Sequence, residues 1–238
     1  MKIKGLLALG CVFLLHAPQA AELHEFNLPD GRSVKAEIVG YNARLGKVEL
    51  KLANGSRKKV SPSLFVQADQ DFIQDWAALD GFRNPRQFKV ECDEKTVEKW
   101  KKESDAHEIK YEKVVYEIKL QNKTPADLNS LTAEYQIYYE QEKSVPGKNK
   151  ETVKLQKAGK FDLKKMRTKE VRTLKTEPVV LESYSFNSAE YYYDSGDPEN
   201  TEGEIEGIWL RITAKTPNGQ TAVRDIYEPS SLKGKYSW

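Results

Sequence analysis

The stretch SVKAEIVGYN, residues 33–42, decides the fold, because apolar and polar side chains alternate along it from position 34. Alternation with a period of two is typical of a strand with one buried face. The stretch KVELKL, residues 47–52, repeats the pattern, and Asn54-Gly55 follows it. Asn-Gly favours a two-residue hairpin turn, since both residues tolerate positive φ. Residues 25–76 therefore predict a small five-stranded barrel.

One short helix is predicted to close this barrel. Its apolar residues recur with helical spacing on a single stripe: Phe72, Ile73, Trp76 and Leu79. Acidic residues such as Asp69 precede the stripe, where they suit the positive end of a helix dipole. Because this stripe is the only apolar face of the helix, we expect Trp76 in the barrel core and not in a binding surface.

These features follow one another in a fixed order: Gly31, Val34, Ala36, Gly46, Val48, Leu50, Asn54-Gly55, Val60, Leu64, Asp69, Phe72 and Ile73. The ordered set, over residues 24–76, resembles the SLA-one homology domain (SHD-one), first described in a eukaryotic endocytic adaptor. Similar copies occur near the N-terminus of many exported bacterial proteins. Val66 departs from the pattern, because family members usually carry a serine helix cap there.

The resemblance implies an SH3-like barrel that acts as a protein-interaction module. It implies adaptor, peptide-binding and self-association roles. Its cytoskeletal and ubiquitin roles do not suit an exported chain.

Residues 1–20 have the pattern of a signal peptide: Lys2 and Lys4, then an apolar run, then Ala20-Ala21 as a cleavage site. The chain is therefore expected to be exported, with no transmembrane segment after cleavage. Lipidation of Cys11 is the alternative for this segment. Removing the two lysines leaves equal numbers of basic and acidic residues. The total charge thus gives no steering toward nucleic acid, and none is expected as a partner.

The chain divides into a barrel at residues 21–81, a linker at 82–86 and a second domain at 87–238. About seven alternating segments in the second domain predict an immunoglobulin-like β-sandwich, so the whole chain is assigned to the all-β class. Residues 95–104 are highly charged and are expected to form a helical turn or a loop. Residues 151–157 are expected to form a short strand, and residues 168–180 a single one.

No catalytic, metal or cofactor motif is recognised. The mature chain holds two histidines, His24 and His107, and neither lies near a known nucleophile pattern. Cys92 is expected to be a small, partly buried apolar residue. The acidic residues 194–204 suit calcium by composition but not by spacing, and a solvated loop is favoured.

Five residues are candidates for binding: Tyr41, Arg44 and Lys58 on the barrel, and Tyr191 and Tyr193 beside the acidic loop. Exposed tyrosines near a loop are favoured in interfaces. The sequence thus predicts an exported, non-enzymatic, adaptor-type protein that binds a protein or peptide. A carbohydrate-binding or cell-envelope structural protein is the second hypothesis, and an unrecognised hydrolase is the third.

Overall fold

The computed structural model describes residues 23–104, 106–144, 150–186 and 200–238. Its first part is an antiparallel sheet with the strands in chain order: β1 (His24–Asn27), β2 (Ser33–Asn42), β3 (Lys47–Leu52) and β4 (Arg57–Val60). β2 and β3 coincide with the two alternating stretches. Gly55 has a φ of 83°, but Asn54 does not have a positive φ, so the two-residue turn predicted at Asn54-Gly55 is wrong. Gly55 N donates to Leu52 O at 2.8 Å, and residues 53–56 connect β3 to β4.

The sheet curls around a small core of its own: Phe26, Ala36, Ile38, Val48, Leu50, Phe65 and Ile73. After β4 the chain makes one 3-10 turn (Pro62–Leu64), and Val66 N then donates to Asn27 O at 2.9 Å. This bond returns the chain to β1 and closes the barrel. The described part of the barrel has four strands and not five, because Pro62 has no N–H for a further ladder bond.

Helix α1 (Gln67–Arg83) has 17 residues and is longer than the predicted short helix. Gly81 does not end it. A Cβ at Gly81 would lie 2.8 Å from Gln87 Oε1 and 3.0 Å from Thr124 Cβ, so this glycine permits close packing. The predicted linker, residues 82–86, consequently begins inside α1, and Phe82 is fully buried.

The rest of the chain contributes eight strands: β5 (Phe88–Glu103), β6 (His107–Asn122), β7 (Leu128–Lys143), β8 (Glu151–Met166), β9 (Val171–Lys175), β10 (Val179–Phe186), β11 (Gly203–Lys215) and β12 (Thr221–Glu228). In one sheet β6 pairs with β5 on one side, and with β10 and then β9 along the other. The second sheet has the order β12-β11-β7-β8. All these pairs are antiparallel, and the prediction of an all-β fold with a β-sandwich is confirmed.

Three predicted segments differ from the structure. Residues 95–104 belong mostly to β5, so the helical turn or loop predicted there is wrong. Both faces of this hairpin are exposed, and cross-strand pairs hold it: ion pairs such as Lys99–Glu112 (2.6 Å), and the stacked rings of Trp100 and Tyr111. β8 continues to Met166, well past residue 157. The single strand expected at residues 168–180 is two strands, β9 and β10.

The core of the sandwich includes residues of α1. Ala78, Leu79 and Phe82 belong to the same buried cluster as the inner faces of both sheets. Ile73, on another side of α1, belongs to the barrel core. One helix is therefore shared by two hydrophobic cores.

Arg224, on β12, holds the end of α1 against the sandwich. Its Nη1 donates to Phe82 O at 2.9 Å and to Phe88 O at 2.7 Å, and its guanidinium lies 5.8 Å from each of these two rings. Asn218, in the β11–β12 turn, donates through Nδ2 to Asp75 Oδ2 of α1 at 2.8 Å.

The C-terminal residues cover the outer face of the second sheet. Leu232 is buried beside Tyr138 and Trp209, and Tyr236 stacks on Tyr138 at 3.9 Å between ring centroids. Trp238 meets the edge of Trp209 at 5.0 Å. Within the part of the chain that the structure describes, no helix has the length and apolarity needed to cross a bilayer.

Candidate functional site

The predicted binding residues are distributed over the barrel and beyond it. Tyr41, near the end of β2, is half-buried and packs against the barrel core. Arg44 is exposed in the β2–β3 turn, and Lys58 is exposed on β4. Tyr191 and Tyr193 lie outside the described residues, as do the signal segment and most of the acidic loop.

Tyr41 is the wall between two adjoining clefts, which together we call the Tyr41 groove. The first cleft, about 420 Å³, runs over β3 and β4 to Gln87. The second, about 640 Å³, lies between the β2–β3 turn and the loops at the near end of the sandwich. Both clefts share Tyr41 and Ala43, so the groove follows the junction of barrel and sandwich.

The far wall of the groove consists of the β6–β7 and β8–β9 loops, which are bonded to each other. Asn122 is fully buried, and its side chain donates to Met166 O (3.1 Å) and accepts from Thr124 N (3.0 Å). Thr168 N donates to Asp127 Oδ1 at 2.9 Å. A wall with this many satisfied polar groups can hold a fixed shape for a ligand.

Carboxylates stabilise the same loops. A hydrogen bond from Lys165 lowers the pKa of Asp127 below its ordinary value, aided by Thr168 N–H. The backbone N–H of Arg167 lowers the pKa of Glu170, and Arg172 adds to the effect. Both acids are therefore charged at neutral pH.

The structure brings only part of the predicted set into the groove. Tyr41 lines both clefts, whereas Arg44 lies between Ala43 and Leu45, which line them. Lys59 lines the first cleft, and strand alternation directs Lys58 to the opposite face of β4.

A separate cleft of about 650 Å³ lies beside Trp76, and we call it the Trp76 cleft. Phe72 and Trp76 supply apolar walls, while Glu37, Arg83 and Gln220 supply polar ones. Trp76 is half-buried, so it is both a neighbour of the barrel core and a cleft residue. The prediction that Trp76 is a core residue of the barrel holds only in part, because the neighbouring helix residues Ile73 and Ala77 are buried and Trp76 is not.

A buried carboxylate contacts His24, which lines this cleft. Asp69, in the first turn of α1, accepts from Asn27 N at 2.6 Å and pairs with His24 Nε2 at 2.7 Å. The imidazole of His24 stacks on Phe72 at 3.9 Å. Asp69 thus joins α1 to β1 although the cap residue, Val66, has no side-chain bond to offer. The sequence predicted only that Asp69 interacts with the helix dipole, and not that it bonds to β1.

The thiol of Cys92 is not activated as a nucleophile. Burial raises the pKa of the Cys92 thiol to about 12, with further contributions from Glu228 and Asp93, so little thiolate exists at neutral pH. Cys92 packs against the sandwich core as a partly buried residue. In the described ranges, no group of three or more His, Cys, Asp or Glu residues could hold a metal ion.

No protein-family model matches this sequence, and no curated protein matches it either.

Proposed function

We propose that this chain is an exported, non-enzymatic binding protein of adaptor type, and that it holds a peptide in the Tyr41 groove. The single observation that supports this most strongly is the position of Tyr41, a half-buried aromatic residue in the wall shared by two clefts. Ligand sites occur preferentially at such junctions between structural units. The resemblance of residues 24–76 to SHD-one supports the same role.

The clefts have the dimensions of a peptide site. Together they form a long, open groove with backbone and amide groups beside an aromatic ring, which suits an extended chain better than a compact molecule. Tyrosine is also enriched among the residues that dominate interface energies.

A displayed peptide library, panned against the mature chain, tests the proposal. Peptides selected on the wild-type chain should bind about tenfold more weakly to Tyr41→Ala and almost normally to Tyr41→Phe, which retains the ring. Tyr111→Ala is the matched control, because Tyr111 is also half-buried but stacks on Trp100 at the far end of the sandwich. Selection of no peptide, or equal loss in both alanine variants, would contradict the proposal.

A carbohydrate ligand in the Trp76 cleft is the second candidate function. The observation in its favour is an indole beside Glu37, Arg83 and Gln220, since an aromatic wall with planar polar groups can pack on a sugar ring and bond its hydroxyls. Binding on a glycan array that disappears in Trp76→Ala but persists in Tyr41→Ala would favour this function. Loss in the opposite pattern would exclude it.

A further inference from the structure

The second cleft of the Tyr41 groove carries unbalanced positive charge. Lys123 and Lys169 line it, and neither makes an ion pair with another described residue. A third cleft of about 610 Å³ lies against the other side of the same loop. It shares Thr168 and Lys169 with the second cleft and adds Arg167. Arg167 and Lys169 therefore lie on the β8–β9 loop, and Lys123 lies on the neighbouring β6–β7 loop.

The nearby acids already have partners. Glu49 faces Arg57 (3.5 Å) and Lys59 (3.6 Å), and Asp127 pairs with Lys165 at 2.9 Å. Glu170 pairs with Arg172 and accepts from Arg167 N at 2.7 Å. These carboxylates are therefore neutralised by other cations or bonded to backbone N–H groups. Lys123 and Lys169 can consequently form ion pairs with a ligand.

Lys169 also has an unfavourable backbone conformation. Its φ is 65°, in the left-handed region that favours glycine, and its N–H is held by Asn122 O at 2.6 Å. A lysine in this position is strained where glycine would not be. The hydrogen bond to Asn122 O maintains this conformation, and Lys169 lines two clefts while it adopts it.

We propose that the Tyr41 groove binds an acidic peptide segment, whose carboxylates contact Lys123 and Lys169 while its backbone passes Tyr41. This inference rests on the proposed function and adds the class of peptide. Charge complementarity selects the partner, since the unpaired groups in the groove wall are cations. A peptide is favoured over another polyanion because the first cleft adds an apolar and aromatic wall to the charged one.

The structure offers a matched pair of substitutions. Among the residues that the structure describes, Lys164 is the other lysine with positive φ, at 53°, and it lines none of these clefts. Lys169→Gly and Lys164→Gly each remove one positive charge and relieve the same strain, so their melting temperatures should change alike. A general electrostatic attraction would weaken equally in both, whereas direct contact would weaken only with Lys169→Gly.

The probe is a fluorescein-labelled oligoglutamate peptide, titrated by fluorescence anisotropy against the mature chain. Oligolysine and a glycine-serine peptide of equal length serve as comparisons. We expect oligoglutamate to bind best, and Lys169→Gly or Lys123→Ala to weaken it about fivefold, as for an exposed ion pair. Lys164→Gly should leave affinity within about twofold, and Tyr41→Ala should also weaken it.

Equal binding of all three peptides, or equal loss in Lys169→Gly and Lys164→Gly, would overturn the acidic preference. If a sulfated oligosaccharide displaces oligoglutamate as well as an acidic peptide does, the claim that the ligand is a peptide is overturned, and the groove is a general anion site. If library peptides depend on Tyr41 but contain no excess of Asp and Glu, only this inference fails. If no library peptide depends on Tyr41, the proposed function itself fails.

Discussion

Arg224 should be the residue that couples α1 to the sandwich, and Arg224→Met tests this. One nitrogen of its guanidinium donates to two backbone carbonyls, Phe82 O in the last turn of α1 and Phe88 O in the first residue of β5. The carbonyls at the end of a helix have no partner within the helix, so a cation there is favourable for both hydrogen bonding and the helix dipole.

The expected cost follows from these two bonds. A hydrogen bond to a charged group contributes about 1.5–3 kcal/mol, and the substitution removes two. Part of this loss is offset, because Arg224 is half-buried without an ion pair among the described residues, and burial lowers its pKa from the ordinary value. Methionine keeps the aliphatic contact with Phe82 and Phe88. We therefore expect the free energy of unfolding to fall by about 2–3 kcal/mol.

Urea denaturation of the full chain, followed by tryptophan fluorescence, measures this change. Hydrogen exchange locates it: the amides of Asn84 and Phe88, which bond back to Asp80, Gly81 and Asn84, should exchange faster. Arg57→Met is the control, because Arg57 is exposed and its pair with Glu49 should contribute under about 1 kcal/mol. If Arg224→Met stays within about 0.5 kcal/mol of the wild type, the coupling role is refuted.

Three further outcomes are expected. Ile73→Ala should lower the free energy of unfolding by about 2–5 kcal/mol, because Ile73 is fully buried. Trp76→Ala should lower it by only about 2 kcal/mol, because Trp76 is not fully buried. Urea titration of both variants would show the reverse order if the indole is a core residue. Asp69→Asn should lower the free energy of unfolding by about 1–3 kcal/mol in the same assay, because it weakens the hydrogen bonds that this buried side chain makes with His24 and Asn27 of β1. An unchanged denaturation midpoint would refute this. The pKa values of Asp127 and Glu170 are lowered from 3.8 and 4.5, so their stabilising effect is present above these ordinary values and is lost as the pH falls through the lowered ones. Exchange protection of the loops at residues 123–127 and 167–170 should thus drop as the pH falls below these ordinary values, and constant protection would show that the carboxylates do not hold them.

Strands β2 and β3 of the barrel could be predicted because residues on one face of each are buried. β2 and β3 alternate cleanly, and their bounds agree with the predicted stretches. The end of β5 could not be predicted in this way, because it extends beyond the core and is exposed on both faces. Its pairing depends on charges contributed by β6, and a single-strand pattern does not contain that information.

β8 shows a second limit. The predicted short strand ended at residue 157, whereas Gly159 lies in the middle of β8, opposite Tyr135, whose ring would lie 2.3 Å from a Cβ at this position. The hydroxyl of Tyr135 accepts a hydrogen bond from Glu177 N at 2.8 Å. The glycine is therefore required by a neighbour far away in sequence, which a local pattern does not reveal.

The candidate site was only partly accessible from the sequence. Tyr41 could be named as an aromatic residue near a turn, but the loops that face it, and Lys123 and Lys169 within them, are brought there by the sandwich. Lys58 was selected from a basic run in which Lys59 lines the groove. The choice between the two depended on the face of β4, which the short run of charged residues does not reveal.

Helix α1 packs into both the barrel core and the sandwich core, and this explains why the two candidate sites lie where barrel and sandwich meet. A helix with one apolar stripe would close the barrel and leave the sandwich as a separate body. Leu79 and Phe82 instead enter the sandwich core, and Gly81 allows the two parts to approach closely. Space remains at this junction as the Trp76 cleft, which α1 itself lines, and as the Tyr41 groove, which the barrel and the sandwich loops line. Because Arg224 bonds α1 to the sandwich, we expect the shape of both sites to depend on it.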